Sequence, residues 1–398
     1  MRITRRHLAA SGGAALTAAL LPARLSGAQP SSPLPPPLKP DAFRERQTKL
    51  RAEAKARGLD VLFVTPSTNL AYSANLAIGR SERLTALLLF TDGPAVLVTP
   101  SFEETNHART AVVDDVKTWQ EEEDPIALAG RLLAGRKAIG VEGSTSYATV
   151  TALSRASSLK MDDATAAFDA LRMVKSAEEQ AFIRDAARRT NAAIDGTHKR
   201  IRAGMSESEV SKILEEEFRL QGVNGGGLVQ FGPSSALPHG GPAERRLGKG
   251  DPILIDCGCK VRGYSSDITR TVSFGPPSDE FRKVYASVDR AQMAGIEALK
   301  SGTAGEDVDR AARKVIEDAG YGKYFTHRLG HGLGMDGHEQ PYLVRGNRKP
   351  LVSGNVNTVE PGIYIPDRFG VRIEDDYVVG PDGAKSLSVR PGEIVILG

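Results

Sequence analysis

The chain has 398 residues, of which 40% are hydrophobic and 25% are charged, and its formal net charge is +3 at pH 7. This length is sufficient for two globular domains, and the composition excludes a disordered or fibrous chain. No basic run with interleaved aromatic side chains occurs beyond the amino terminus, so a nucleic-acid partner is not expected.

The first 28 residues predict an export signal that is not part of the fold. A basic start, an apolar stretch from Leu8 to Leu21 and a small-residue site ending at Ala28 are typical of a signal peptide. Arg5 and Arg6 resemble a twin-arginine motif, which implies a periplasmic destination, and an ordinary secretion signal is the alternative. The stretch is short for a bilayer span, so no stable span is expected in the mature protein, with a retained anchor as the alternative. Cleavage would remove four arginines and no acidic residue, lowering the formal charge from +3 to −1.

The proline-rich residues 29–40 predict a semi-rigid, exposed spacer. After it, residues 41–170 predict a small α/β domain. A charged helix ends at Gly58, the run LDVLFVTP follows as a strand, and two apolar runs around Asp92-Gly93 predict a hairpin. This segment contains no dense cluster of catalytic residue types, so the chemistry is expected in the remainder of the chain.

Residues 171–398 predict a second domain of the α+β class. Ser176 and Glu179 form a capping box before a long amphipathic helix. Further helices are predicted over residues 207–220, 281–299 and 306–319, and the predicted strands are PILIDCG, DITRTVSF, NTVEPGIYI and VRIEDDYVV. The expected architecture is therefore a layer of helices over an antiparallel sheet.

Four acidic residues lie on two predicted apolar hairpins, with Asp256 and Asp267 on the first and Glu360 and Glu374 on the second. One such residue alone is more often exposed or salt-bridged. An ionised carboxylate is costly to bury in an apolar strand unless positive charge compensates it. Four of them together predict divalent cations, with room for a hydroxide between two ions.

The segment HRLGHGLGMDGHE contains three of the seven histidines, at His327, His331 and His338. His327 and His331 have the spacing of a helical zinc motif, but the interleaved glycines disfavour a helix. The segment is therefore predicted to be extended or a loop whose backbone can closely approach a bound group.

A cysteine or serine nucleophile is not predicted. Cys257 and Cys259 are two residues apart on a predicted strand, where their side chains share a face and a mutual disulfide is geometrically poor. Both are expected to be core residues that point away from the face carrying Asp256. The motif Gly-x-Ser-x-Gly does not occur in the sequence.

The stretches GDPILIDCGCKVRGYSSDITRTVSF, HRLGHGLGMDGHEQP and NTVEPGIYIPDRFGVRIEDDYVV resemble the Xaa-Pro peptidases of the pita-bread fold, the prolidases and Xaa-Pro aminopeptidases. The resemblance covers about residues 41–398. It implies a creatinase-like amino-terminal domain followed by a pita-bread domain with its metal site on a curved antiparallel sheet. It also implies two divalent ions, with Mn²⁺ expected first and Co²⁺ or Zn²⁺ as alternatives, and a hydroxide between them. The implied ligands are Asp256, Asp267, His331, Glu360 and Glu374, with Asp267 and Glu374 bridging both ions.

The resemblance assigns four further residues. His239 would lie beside the metals and contact the substrate, and His338 would stabilise the oxyanion. The alternative for both histidines is that they only orient metal ligands. His327 and Arg372 would line the pocket on the proline side of the substrate.

The implied substrate is a small peptide with proline at the second position, and the resemblance favours a homodimer or larger assembly. Dipeptides and longer peptides both remain open at this stage. The alternatives are a metallohydrolase or lyase of the same fold that acts on a non-peptide small molecule, and a non-catalytic binding module.

Overall fold

The computed structural model describes residues 32–157, 159–241 and 244–398. The predicted signal peptide, residues 1–28, lies outside the described residues. The elements of the first domain are α1 (Pro40–Ala56), β1 (Val61–Val64), α2 (Thr68–Ala74), β2 (Ala86–Phe90), β3 (Ala95–Pro100), α3 (Glu104–Ala108), β4 (Asp115–Trp119), α4 (Pro125–Leu132), β5 (Ala138–Val141), α5 (Tyr147–Ala156), β6 (Lys160–Asp163) and α6 (Thr165–Arg172).

The first domain is built on a six-stranded sheet in the order β4-β3-β2-β1-β5-β6. The predicted hairpin is present as β2 and β3, which pair antiparallel. The strand β1 is buried on both faces, because Leu62 and Val64 pack into one apolar cluster and Val61 and Phe63 into another. Burial of both faces explains why LDVLFVTP is a continuous apolar run without polar alternation.

The proline-rich segment is attached to the second domain over its described part, residues 32–39. Arg189 donates a hydrogen bond to the carbonyl oxygen of Ser32 at 2.7 Å, and Arg262 donates one to that of Pro35 at 2.7 Å. Leu38 packs against the core of the second domain. Most of these residues are exposed, as predicted, and the segment is held against the second domain at Ser32, Pro35 and Leu38.

The second domain consists of two five-stranded sheets, each with a pair of helices packed on it, and a separate two-stranded hairpin. Its elements are α7 (Ala177–Arg200), α8 (Glu207–Leu220), β7 (Gly225–Phe231), β8 (Pro252–Val261), β9 (Tyr264–Ser265), β10 (Ile268–Phe274), α9 (Asp279–Ala298), α10 (Gly305–Asp318), β11 (Gly330–Gly332), β12 (Glu339–Leu343), β13 (Val356–Val359), β14 (Gly362–Ile365), β15 (Phe369–Arg372), β16 (Asp375–Val379), β17 (Ala384–Ser386) and β18 (Ile396–Leu397).

One sheet has the order β18-β10-β8-β7 with β9 paired to β8, and the other has the order β12-β11-β13-β16-β17. Helices α7 and α8 share an apolar cluster with the first of these sheets. Helices α9 and α10 share another with the second sheet and with the hairpin of β14 and β15. The α+β class predicted for this domain is therefore confirmed.

Two strands predicted as continuous runs are each interrupted, and that part of the prediction is wrong. NTVEPGIYI breaks at Glu360 and Pro361, and VRIEDDYVV breaks at Ile373 and Glu374. Proline has no N–H to donate to a strand ladder, which favours the first break. At the second break the Glu374 N–H donates to the Thr269 carbonyl oxygen on the other sheet at 3.2 Å. Both glutamates therefore lie where the chain leaves one strand and begins another.

Within the described part of the chain, no helix is both long enough and apolar enough to cross a bilayer.

Candidate metal centre

A cavity of about 410 Å³ in the second domain is lined by residues from both of its sheets. Nine of its lining residues are the nine that the sequence predicts as site residues. They are His239, Asp256, Asp267, His327, His331, His338, Glu360, Arg372 and Glu374. The structure thus brings every predicted site residue to one place, although they are separated by up to 135 positions in the sequence.

Asp256 is positioned by the alternation of strand β8. The residues directly before and after Asp256 point to the other face of the strand and are apolar. On that face, Cys257 and Cys259 pack into the core beneath α7. Both cysteines are free and buried, as predicted. Because side chains alternate across a strand, Asp256 emerges on the opposite face, where it is paired in register with Thr269 of β10.

The glycines around His331 allow its strand to lie very close to its neighbours. A Cβ atom at Gly330 would lie 2.1 Å from the carbonyl oxygen of Thr358, and one at Gly332 would lie 2.2 Å from that of Gln340. The His331 ring is oriented by its Nδ1, which donates to the carbonyl oxygen of Gly332 at 3.0 Å. Its Nε2 faces Oε1 of Glu360 at 3.1 Å, within hydrogen-bond distance, and in its deprotonated form this is the ring atom that could bind an ion.

Three groups of ligand atoms lie close enough together to hold an ion, with all atoms of each group within 4.8 Å of one another. One group is Asp256, Asp267 and Glu374, and a second is His331, Glu360 and Glu374. The third joins Asp267 and His331 to His338, so geometry alone also permits His338 as a ligand. Glu374 is common to the first two groups, as a ligand shared by two neighbouring cations would be, and Asp267 and His331 also each belong to two of the three groups.

The electrostatics of this cluster favour bound cations. Burial, and then the repulsion from neighbouring carboxylates, raises the pKa of Asp267 and of Glu374 well above the usual range. Burial also opposes ionisation of Glu360, but the hydrogen bond with His331 and nearby positive groups hold its pKa at about 2. Divalent cations would compensate these carboxylates, and oxygen donors with one imidazole suit ions such as Mn²⁺. The residues present therefore fit a pair of divalent ions.

Arg372 lies against a predicted metal ligand and is only 3% exposed. Its Nη2 donates to Oδ2 of Asp256, its Nε donates to the Thr269 hydroxyl at 3.0 Å, and its Nη1 donates to the Tyr364 hydroxyl at 2.7 Å. These bonds fix the carboxylate of Asp256. Arg372 also lines the cavity, and its contact with substrate stays a prediction.

His327 forms part of the cavity wall and is bonded on both sides of its ring. Its Nδ1 donates to the carbonyl oxygen of Arg328 at 2.7 Å, so its Nε2 accepts from the Tyr364 hydroxyl at 2.8 Å. Burial lowers its pKa, which keeps the ring neutral. The chain of Arg372, Tyr364 and His327 thus connects the metal cluster to the side predicted to bind proline.

The two histidines predicted to be catalytic are both exposed to the cavity. The ring of His338 lies 3.9 Å from that of His331, measured between centroids. Its Nδ1 accepts from Nη2 of Arg328 at 3.2 Å, which leaves the Nε2–H as a donor. Burial, and then His331, lowers the pKa of His338, so the ring is neutral at pH 7.

His239 follows a short 3₁₀ turn, Gly232–Ala236, that is fixed from two sides. The N–H of Gly370 donates to the Ser235 hydroxyl at 2.8 Å, and Nε2 of Gln230 donates to the carbonyl oxygen of Leu237 at 3.1 Å. These bonds place His239 at the cavity opposite the glycine-rich segment.

The sequence analysis missed two threonines that hold predicted metal ligands. The Thr269 hydroxyl donates to Oε2 of Glu374 at 2.6 Å, and the Thr358 hydroxyl donates to Oε1 of Glu360 at 3.1 Å. Each threonine lies two residues from an acidic residue, Asp267 or Glu360, along an extended segment. Because residues two apart on a strand share a face, this spacing was the signal that could have identified them.

Comparison with known proteins agrees with this geometry. The model of metallopeptidase family M24 matches residues 181–381, and that of the creatinase/prolidase N-terminal domain matches residues 46–174. A probable dipeptidase PepE of Mycobacterium bovis is 37% identical over 363 residues, which are 88% of this chain and 96% of that protein.

Two solved structures are similar over nearly their whole length. The crystal structure of dipeptidase PepE from Mycobacterium ulcerans has a TM-score of 0.86 and 34% identity, covering 91% of this chain and 100% of that one. The Xaa-Pro dipeptidase from Bacillus anthracis has a TM-score of 0.82 and 32% identity, covering 89% of this chain and 100% of that one. These similarities confirm the predicted creatinase-like domain and pita-bread domain. The chain belongs to metallopeptidase family M24.

Proposed function

We propose that this metallopeptidase is an Xaa-Pro dipeptidase, which hydrolyses the bond between an amino-terminal residue and a carboxyl-terminal proline. The observation that carries the proposal is the convergence of five ligand-type side chains in one small cavity: Asp256, Asp267, His331, Glu360 and Glu374. The printed names of similar proteins, dipeptidase and Xaa-Pro dipeptidase, support the substrate class. A cavity of about 410 Å³ is also at the small end of ligand pockets, which favours a dipeptide over a long peptide.

We infer that the site binds two divalent cations, with Mn²⁺ the first expectation. Asp256 would hold one ion, His331 and Glu360 the other, and Asp267 and Glu374 both; the two overlapping ligand groups support the shared role of Glu374, and that of Asp267 rests on the family resemblance. When bound, such ions make hydroxide available at neutral pH and polarise the scissile carbonyl. Neither buried cysteine is then required as a nucleophile.

The side chains around the ions supply orientation and proton donors. Arg372 and Thr269 hold the carboxylates of Asp256 and Glu374 in fixed directions. The Nε2–H of His338 is available to donate to the oxygen that becomes negative when the scissile carbonyl is attacked, because Arg328 occupies Nδ1. Removal of one such donor typically slows turnover about 10²- to 10³-fold.

The test compares peptides that differ in one feature. The purified chain with added Mn²⁺ is expected to release proline from Ala-Pro and Leu-Pro, and to act much less on Ala-Ala and on Ala-Pro-Ala. Glu374→Ala removes a shared ligand and should abolish nearly all activity, whereas Asp382→Ala, at an exposed acidic residue, should not change it. Release of the amino-terminal residue from Ala-Pro-Ala at the dipeptide rate would overturn the dipeptidase assignment. Failure to cleave any of these peptides would favour a non-peptide substrate.

We propose in addition that the chain is exported through its twin-arginine-like leader to the periplasm. The support is the sequence itself, with Arg5 and Arg6 ahead of the apolar stretch. Replacement of both by lysine should leave the protein in the cytoplasmic fraction, whereas replacement of Arg2 by lysine should not. Equal export of the two variants would contradict the twin-arginine route.

A further inference from the structure

Four buried or half-buried charges join the first domain to the segment that carries His338. Nη2 of Arg172 lies 2.6 Å from Oδ2 of Asp336 and 2.7 Å from Oε2 of Glu339. Nζ of Lys175 lies 2.6 Å from Oε1 of Glu339. We call these four residues, Arg172, Lys175, Asp336 and Glu339, the interdomain clasp. Its two cations come from the end of the first domain and the connector, and its two carboxylates come from the second domain.

The clasp contains two positive and two negative charges, and its pair of Lys175 and Glu339 is buried. Lys175 is 4% exposed and Glu339 is 9% exposed, so neither charge is compensated by bulk water. Burial lowers the pKa of Lys175, and the adjacent carboxylate of Glu339 opposes that effect. The backbone of Lys175 is also fixed, because its N–H donates to the carbonyl oxygen of Gly354 at 2.9 Å. A buried pair of this kind holds its partners in one geometry, since moving either would leave an unpaired charge.

Helix α2 of the first domain extends the clasp. The Thr68 hydroxyl donates to Oδ1 of Asp336 at 2.5 Å, and Nη1 of Arg172 donates to Oδ1 of Asn69 at 2.9 Å. Nδ2 of Asn69 in turn donates to Oε1 of Glu142, at the end of the domain's central sheet, at 3.0 Å. These hydrogen bonds therefore connect Asp336 to the sheet of the first domain and fix its position relative to that sheet.

The clasp holds both ends of the short segment in which His338 lies. Asp336 precedes Gly337 and His338, and Glu339 follows them. Glu339 also pairs in register with Gly332 of β11, directly after His331. A Cβ atom at Gly334 would lie 2.5 Å from Oε1 of Glu339, so the glutamate packs tightly against the backbone of the histidine segment.

We propose that the interdomain clasp makes the first domain a positioning device for His338, with Arg172 and Lys175 as positioning residues for the reaction. The inference rests on the proposed function, because it assumes that His338 acts in turnover. It gives the first domain a role in catalysis even though none of its residues lines the metal cavity among those that the structure describes. Loosening the clasp should shift His338 away from the reacting carbonyl while the five metal ligands stay in place.

The most informative variant is Arg172→Lys, which keeps the charge but loses the fork that contacts Asp336, Glu339 and Asn69 together. We expect kcat to fall about 10- to 100-fold, since small misplacements of a catalytic group have effects of this size, with KM changed less than threefold. Bound metal should stay at the wild-type level. Asp336→Asn is a second variant that is easier to fold, because the Asp336 side chain is 42% exposed, and it should lower kcat in the same direction.

The matched control is Arg46→Lys, at another arginine that joins the two domains. Arg46 donates to Oε1 of Glu179 and to the Tyr264 hydroxyl, both at 2.8 Å, and is 8% exposed. The Arg46→Lys variant should lower the unfolding temperature about as much as Arg172→Lys does, and its kcat should stay within twofold of wild type. A similar loss of kcat in both variants would show a general effect of domain contact and would overturn the specific role of the clasp.

A double-mutant cycle with His338→Ala gives the decisive measurement. If the clasp acts through His338, Arg172→Lys should reduce kcat less than twofold further in the His338→Ala background. The same fold loss in both backgrounds would contradict the proposal.

Deuterium exchange gives a readout that does not depend on activity. The peptide spanning residues 334–341 should exchange faster in Arg172→Lys than in the wild type, and at the wild-type rate in Arg46→Lys. Unchanged exchange in Arg172→Lys would overturn the clasp, whereas faster exchange in a chain that cleaves no Xaa-Pro peptide would count against the proposed substrate alone.

Discussion

Replacing Thr269 by valine should weaken metal binding without disturbing the fold around the site. Thr269 is fully buried, and its hydroxyl both donates to Oε2 of Glu374 at 2.6 Å and accepts from Nε of Arg372 at 3.0 Å. Valine has nearly the same shape but cannot make either bond. The substitution therefore removes the orientation of a shared carboxylate and leaves the ligand itself in place.

The expected size of the loss in Mn²⁺ affinity follows from the negative charge of Glu374, which accepts the hydrogen bond. A hydrogen bond to a charged group contributes about 1.5–3 kcal/mol, and about 1.4 kcal/mol corresponds to tenfold in an equilibrium constant. The affinity for Mn²⁺ should therefore fall about 10- to 100-fold, which is also the usual effect of removing a residue that orients a metal ligand. Calorimetric titration of the metal-depleted protein with Mn²⁺ measures this change directly.

Thr271→Val provides the matched control on the same strand. The Thr271 hydroxyl donates to the Arg372 carbonyl oxygen at 2.8 Å, and the residue is 3% exposed. The same hydroxyl accepts from the Arg372 N–H at 3.1 Å. Its removal should lower the free energy of unfolding by about 2 kcal/mol, as for two typical neutral hydrogen bonds, with Mn²⁺ affinity within threefold of wild type because both bonds go to backbone atoms. If Thr269→Val and Thr271→Val weakened Mn²⁺ binding equally, the assignment of Thr269 to the orientation of Glu374 would be refuted.

Three further predictions concern other parts of the site and the fold. Arg372→Lys should weaken Mn²⁺ binding about tenfold, because an ammonium cannot reproduce the fork that holds Asp256; unchanged affinity in the same titration would contradict this. His331→Ala should lose bound metal, measured by elemental analysis, whereas His338→Ala should keep it and lose about 10²- to 10³-fold in kcat; metal loss in both would make His338 a ligand. Burial lowers the pKa of His198 to about 4. Between about pH 4 and 6.5, His198 is therefore protonated in the unfolded chain but not in the folded one. This difference should lower the free energy of unfolding by about 2 kcal/mol at pH 5 relative to pH 7. Urea unfolding of His198→Gln should show a correspondingly smaller loss between those pH values, and an identical loss would refute it.

Features set by neighbours in the sequence were predictable. The capping box of Ser176 and Glu179 is present at the start of α7, and the helix predicted over residues 207–220 is observed as Glu207–Leu220. Caps and amphipathic periodicity are local properties, so the sequence contains the information that determines them. The cysteine prediction held for the same reason, because it needed only the alternation of side chains along β8.

Features set by contacts between distant segments were not predictable in the same way. The sequence gives no sign that Arg372 pairs with Asp256, which lies 116 residues away. It also does not show that the chain passes at Glu374 from the hairpin of β14 and β15 to the sheet that contains β16, because neither proline nor glycine interrupts VRIEDDYVV there. The pairing of Arg172 and Lys175 with Glu339 has the same character, since ion pairs between domains leave no periodic pattern.

The measurement that tests the central claim most directly is proline release from Ala-Pro as a metal-depleted protein is titrated with Mn²⁺. Five ligands in two overlapping groups predict that activity is absent without metal and reaches its maximum at two ions per chain. Glu374→Ala should show no such recovery at any Mn²⁺ concentration used. Proline release that is independent of metal, or maximal activity at one ion per chain, would contradict the proposed dinuclear site.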